Sequence, residues 1–285
     1  MSYLSAYYAG LLASQATTKP LPPNAFLIAT GITDQVISRA IRAMEQDLDT
    51  YQLRSKLLAL YPLVGASAFT CGFNLLDPRD ANDAYRITFV NTVLGGHGPI
   101  SYTAEGVKPN STDSIGLTYL FPDQVLSKDS LSMGFYAGSD FEDVNNTYLV
   151  MAGVAEADYS NAFYLYANAT SADYWSYRAA ASTEISVARP GRSAIGLHII
   201  TRTTSASSSY YHFGANDTVV ATDQVPSTGL PNTSLTIFGL NHPGNQLTNF
   251  DGRLCQGFFV GRGLTAADCL NMNTTFARFQ TALGR

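Results

Sequence analysis

Apolar residues recur every three to four positions up to Pro62, and from Ala84 onward they tend to alternate. Leu4, Tyr7, Tyr8, Leu11 and Leu12 share one helical stripe, with Ser2 placed to cap it. Thr17-Thr18-Lys19-Pro20-Leu21-Pro22-Pro23 ends that stripe, because proline fixes φ and cannot continue a helix. An amphipathic segment on such a tether has no core of its own and has to bury its apolar face against another subunit or the rest of the chain. Thr33 is expected to cap a helix over residues 34–48, with Asp34 favourable to the helix dipole. Its apolar stripe is Val36, Ile37, Ala40, Ile41, Met44 and Leu48. Leu53, Leu57, Leu58 and Tyr61 continue as a second short helix stopped by Pro62, and both stripes read as core packing.

The alternating part predicts strands over residues 85–90, 131–136, 147–150, 162–166, 194–203, 210–213 and 235–238, which are short, β-branched or aromatic, and separated by turn chemistry. Gly214-Ala215-Asn216-Asp217 follows one of them and is expected to supply positive-φ residues to a hairpin. Many short strands without intervening helices indicate an antiparallel sandwich or barrel. Gly261-Arg262-Gly263 then breaks the pattern. Thr265, with Asp268 three residues on, resembles a capping box for a last helix. Ala267, Leu270, Thr274, Phe276, Ala277 and Phe279 are its expected packing face.

Composition narrows the class. With 46% hydrophobic and 14% charged residues among 285, a sizeable core is available and the surface is largely uncharged. The net charge of −5 provides no basic stripe for phosphates. Arg39/Arg42 and Arg54/Lys56 read as solvated helix faces, so no nucleic-acid partner is expected. Three cysteines, Cys71, Cys255 and Cys269, without C-x-x-C spacing provide neither a disulfide framework nor a zinc site. No run reaches the ~18 apolar residues of a membrane span. The first basic residue is Lys19, which argues against a secretory leader.

Ala29-Thr30-Gly31-Ile32-Thr33-Asp34 resembles the "ATGITD" opening of a family found in bacteriophage genomes. Leu57-Leu58-Ala59-Leu60-Tyr61-Pro62-Leu63-Val64-Gly65 is similar to its "KAIYPFVGG" segment. Phe73-Asn74-Leu75-Leu76-Asp77-Pro78-Arg79-Asp80 is similar to "NLKDPRD", and Ala84-Tyr85-Arg86-Ile87-Thr88-Phe89 to "AFRLTF". Gly261-Arg262-Gly263-Leu264-Thr265-Ala266-Ala267-Asp268 resembles "GxGLTxxE", and Phe279-Gln280-Thr281-Ala282-Leu283-Gly284-Arg285 resembles "FQTxLGR". The resemblance implies a LamG-like, concanavalin A-like jelly-roll antiparallel β-sandwich in a phage structural protein of tail or fibre type. The resemblance covers roughly residues 24–285, with a helical segment at 24–65 and a sandwich at 66–285 ending in a helix packed on it; residues 1–23 fall outside it, which suits a virus-specific anchoring arm with a Pro-rich linker. A virion location follows, with other virion proteins as partners through residues 1–23. Self-assembly is also expected, as a homotrimer, since phage fibres and spikes are usually trimeric. Calcium in loops of such modules would draw on Asp77/Asp80/Asp83 or Asp140/Glu142/Asp143. Neither has EF-hand spacing, so no metal ligand is assigned and no cofactor is expected.

Three functions compete on this fold. A structural or decoration role needs no chemistry. Glycan binding uses aromatic platforms with polar neighbours; Tyr174, Trp175 and Tyr177, with Tyr210 and Tyr211, are the candidate ligand residues. Aromatics in a sandwich core read the same way. A hydrolase would need paired carboxylates, and jelly-roll glucanases carry E-x-D-x-x-E on one strand. Glu156-Ala157-Asp158 begins that spacing, but Asn161 occupies the last acidic position. His97, His198, His212 and His242 lie far apart without a nucleophile motif. A non-enzymatic protein is therefore expected.

Overall fold

In a computed structural model, the structure describes residues 22, 24–91, 98–140, 149–167, 174–188, 193–244 and 246–285. Leu4, Tyr7, Tyr8, Leu11 and Leu12, together with His97, Glu142 and Asp143, lie outside them. In chain order the elements are α1 (Ala25–Thr30), α2 (Gln35–Thr50), β1 (Leu57–Tyr61), α3 (Ala68–Cys71), β2 (Thr88–Asn91), β3 (Ser101–Thr103), β4 (Gly106–Lys108) and β5 (Ser114–Leu117). They continue with α4 (Pro122–Val125), β6 (Leu131–Ala137), β7 (Leu149–Ala155), β8 (Ala162–Ala167), β9 (Tyr174–Ala179), β10 (Ile185–Ala188), β11 (Gly196–Arg202) and β12 (Ser208–Phe213). The last are β13 (Thr218–Asp223), β14 (Thr236–Ile237), β15 (Leu240–His242), β16 (Gln246–Thr248), β17 (Cys255–Gly261) and α5 (Ala266–Leu283).

Two sheets face each other. Sheet A runs β13-β12-β11-β6-β17-β4-β3, with β1 also on β17; sheet B runs β10-β9-β8-β7-β14-β5-β2, with β15 and β16 attached through β7. Pairing between strands is antiparallel except for β15 beside β7. Met133, Phe135, Phe258 and Val260 of sheet A meet Met151, Phe163, Leu165 and Trp175 of sheet B in the inner core. The alternate residues Leu197, Ile199 and Phe259 point the other way and pack under α2 and α5, against Ile41, Met44, Met272 and Phe276. Sheet A is thus covered on both faces, which is why β11 and β17 are buried along their whole length. The result is a three-layer molecule, with helices over sheet A over sheet B: mainly β, a jelly-roll-like sandwich with short N-terminal helices and a C-terminal helix.

Several expectations are corrected. Residues 57–61 form strand β1, paired with β17 from Leu57↔Gly261 to Tyr61↔Phe258, and not a second helix. A 3₁₀ turn at Arg54–Lys56 precedes the strand. Helix α2 is capped by Asp34, whose carboxylate accepts Val36 N–H at 2.8 Å and Ile37 N–H at 2.9 Å, and not by Thr33. The β12–β13 hairpin forms, closed by Gly214 N–H to Asp217 C=O at 2.9 Å. Residues 214–217 do not use positive φ, because a four-residue loop is built from right-handed turn conformations. The capping box of α5 is complete, but its buried face is Asp268, Cys269, Met272, Thr275, Phe276, Phe279 and Gln280. Leu270 is 56% exposed, and Ala267 and Ala277 are also exposed. The helix is rotated relative to the apolar pattern because Phe276 and Phe279 fill the space over sheet A.

Candidate functional site

The aromatic residues singled out from the sequence divide on burial. Trp175, Tyr177 and Tyr210 are each 0% exposed and face the inner core, and Tyr211 packs beneath the helices. A ring with no solvent-facing surface cannot serve as a sugar platform, so the reading of these four as glycan ligands is corrected. Only Tyr174, 44% exposed, lies open. The alternation of β9 explains the split, since odd and even positions point to opposite faces.

Inside, Trp175 sits edge-on to His198 and His212 at 5.2 and 4.4 Å between ring centroids. The two imidazoles are cross-strand partners stacked at 4.3 Å. His198 bonds Tyr210 Oη through Nδ1 and Ala194 C=O through Nε2, both at 2.7 Å. Sequence distance concealed this pairing, which depends on the β11–β12 register.

The outer face of sheet B carries a different group. Tyr164 and Tyr166 of β8 lie on the face away from the inner core, buried in a small cluster with Val150 and Leu240, and donate to the two oxygens of Glu184, at 2.7 and 2.6 Å. Arg178 of β9 lies opposite Tyr164 in register. Its guanidinium stands 5.3 Å from the Tyr159 ring and 5.6 Å from the Tyr164 ring, and Nη1 donates to Tyr159 C=O at 2.7 Å. His242 of β15 is edge-on to Tyr159, 5.1 Å between centroids, with Nε2 3.3 Å from Tyr159 Oη. Two polar atoms here, Arg178 Nε and His242 Nδ1, have no hydrogen-bond partner among the described residues.

Tyr159 is the hub. It occupies the β7–β8 turn at φ 58°, a left-handed conformation unfavourable for a bulky residue by about 1–2 kcal/mol. Tyr159 N–H to Glu156 C=O at 3.0 Å and Ser160 N–H to Asp158 Oδ1 at 2.9 Å hold the turn. Burial pushes the Tyr159 phenol up, against the lowering effect of Arg178. Strain of this kind persists where the surroundings over-determine the conformation, and it concentrates at sites of function.

The acids that suggested a glucanase do not share a strand face. Glu156 and Asp158 lie in the turn after β7. Glu156 Oε1 accepts Asn232 N–H at 2.9 Å. The Asp77/Asp80/Asp83 cluster is occupied by arginines: Arg79 pairs with Asp77 at 2.6 Å and Asp83 at 3.0 Å, and Arg86 pairs with Asp80 at 3.0 Å. Asp140 accepts Ala194 N–H at 3.2 Å. Among the described residues, no helix is long and apolar enough to cross a membrane.

No protein-family model matches the chain, and no curated protein matches it. Among solved structures it is similar to full-length tailspike protein 2 of Escherichia coli O157:H7 bacteriophage CAB120, at 11% identity and TM-score 0.42 over 65% of this chain and 25% of that one. It is similar also to the CBM2 module of the evolved Dit of Lactobacillus casei BL23 phage J-1, at 10% identity and TM-score 0.43 over 74% and 97%. A third is the binding domain of botulinum neurotoxin serotype D, at 7% identity and TM-score 0.44 over 79% and 52%. The chain thus spans a quarter of the tailspike and about half of the neurotoxin domain.

Proposed function

We propose that the chain is a non-enzymatic module of a bacteriophage virion, of fibre, spike or decoration type, built into the particle through residues 1–23 and binding host-surface glycan on the outer face of sheet B. The observation that carries the binding role is the Tyr159–Arg178–His242 cluster. A half-buried ring, a guanidinium and an imidazole meet there at a strained turn. The six ordered sequence blocks support the virion setting. Glu184 bonded by two phenols, and Glu156 by a backbone amide, support binding without hydrolysis. No cofactor or nucleic acid is part of this reading, and self-association is.

The experiment is retention of the purified protein on immobilised host-envelope polysaccharide, with the supernatant assayed for new reducing ends. Retention without new reducing ends is expected. New reducing ends would make the protein a hydrolase, and no retention would leave a purely structural role.

A further inference from the structure

Strand β13 ends sheet A, and among the described residues no strand lies on its far side. It pairs with β12 without a register shift, from Thr218↔Phe213 to Asp223↔Ser208. Gly214 N–H donates to Asp217 C=O at 2.9 Å, which makes 214 and 217 a hydrogen-bonded pair. Antiparallel pairs alternate between bonded and non-bonded. Val219, Ala221 and Asp223 therefore bond to β12, and Thr218, Val220 and Thr222 aim their N–H and C=O groups outward. The side chains of Thr218, Val220 and Thr222 are exposed, Val220 by 56%, while Val219 and Ala221 pack on the inner core.

Such an edge is a template for another strand, and folded proteins ordinarily blunt it with lysine, proline, a bulge or a short length. Strand β13 carries none of these. It has six residues, against three, four and four for β3, β10 and β2 at the other sheet ends. Its one charged residue, Asp223, is engaged within the chain: the carboxylate accepts Tyr177 O–H and Ser208 O–H, both at 2.6 Å, and Val225 N–H at 2.7 Å. We propose that β13 pairs antiparallel with β13 of a second copy of the chain, about a two-fold axis through Val220. That register is self-complementary. Val220 meets Val220 of the copy, Thr218 meets Thr222, and every outward group is used, in about six N–H···O=C bonds. Residues 218, 220 and 222 bring no charge to the axis, so identical β-branched strands meet there without repulsion. The contact joins two chains, in place of the trimer that resemblance to phage fibres implies. It does not depend on the virion reading, since it concerns the backbone of one strand.

Residue-resolved amide hydrogen exchange on the full chain, at low and high concentration, tests this pairing. The amides of Thr218, Val220 and Thr222 should slow by about tenfold or more as concentration rises, while those of Val219, Ala221 and Asp223 stay slow throughout. Light scattering should show the mass of two chains over the same rise. Val220→Lys, which sets two cations across the axis, should leave single chains at every concentration with the melting temperature unchanged. Outward amides that exchange equally fast at both concentrations would overturn the proposal. So would a mass of one or three chains, or a dimer that survives Val220→Lys. If that variant melts early, exchange in the wild type decides alone.

Discussion

The side-chain oxygen of Asn74 accepts the backbone N–H of Leu60 at 3.0 Å, inside a fully buried site. The same oxygen accepts Leu76 N–H at 3.0 Å, and the amide nitrogen donates to Leu58 C=O at 3.3 Å and Ala84 C=O at 3.1 Å. One amide thus ties β1 to two later segments. A buried polar group left without its partner costs about 1–3 kcal/mol. Asn74→Ala should therefore destabilise the protein by about 3 kcal/mol or more, read from the midpoint of chemical denaturation.

Trp175 belongs to the core, and its loss should be felt there. Trp175→Ala should cost about 3–5 kcal/mol. Asparagine tolerates the left-handed conformation, so Tyr159→Asn should leave stability within about 1 kcal/mol of wild type while removing the ring. Thermal melts of the two variants side by side check both expectations.

Lys56 and Asp268 are 2.6 Å apart, joining the turn before β1 to the first turn of α5. Burial works against the charge of Asp268, but hydrogen bonds from Lys56 and Thr265 outweigh it and hold the carboxyl below its ordinary value. A depressed folded pKa gives stability that is present above the unfolded value of about 3.9 and lost as pH falls through the lower folded value. Asp268→Ala should cost about 1 kcal/mol at neutral pH. That difference should shrink below pH ~4 in a denaturation series.

Burial pushes the Cys71 thiol up to about 11 and the Cys269 thiol up to about 12, and raises Cys255 well above its ordinary value. The thiolate is the reactive form. At pH 8 a thiol-specific chromogenic reagent should find almost no reactive group in the folded protein. After denaturation it should find all three cysteines.

The sandwich was legible because its strands are short, β-branched or aromatic and separated by turn residues, and the α5 capping box was legible because it is local. Residues 57–61 misled because an apolar run of that length fits helix or strand, and only pairing with β17 and the Asn74 clamp decides between them. Trp175 and Tyr210 had the residue types of a binding site, but the face that a residue occupies depends on sheet register, which composition does not contain. The Tyr159–Arg178–His242 cluster draws on a turn, β9 and β15. Its local signal was an aromatic in the turn Ala157-Asp158-Tyr159-Ser160, where glycine or asparagine would be at ease.

The most direct test of a binding face on sheet B is the affinity of wild type and Tyr159→Asn for host-envelope polysaccharide, measured at equal folded concentration. Binding by wild type and at least a tenfold loss in the variant, about 1.4 kcal/mol, with melting unchanged, is the predicted result. Equal binding by both proteins would contradict a role for this face.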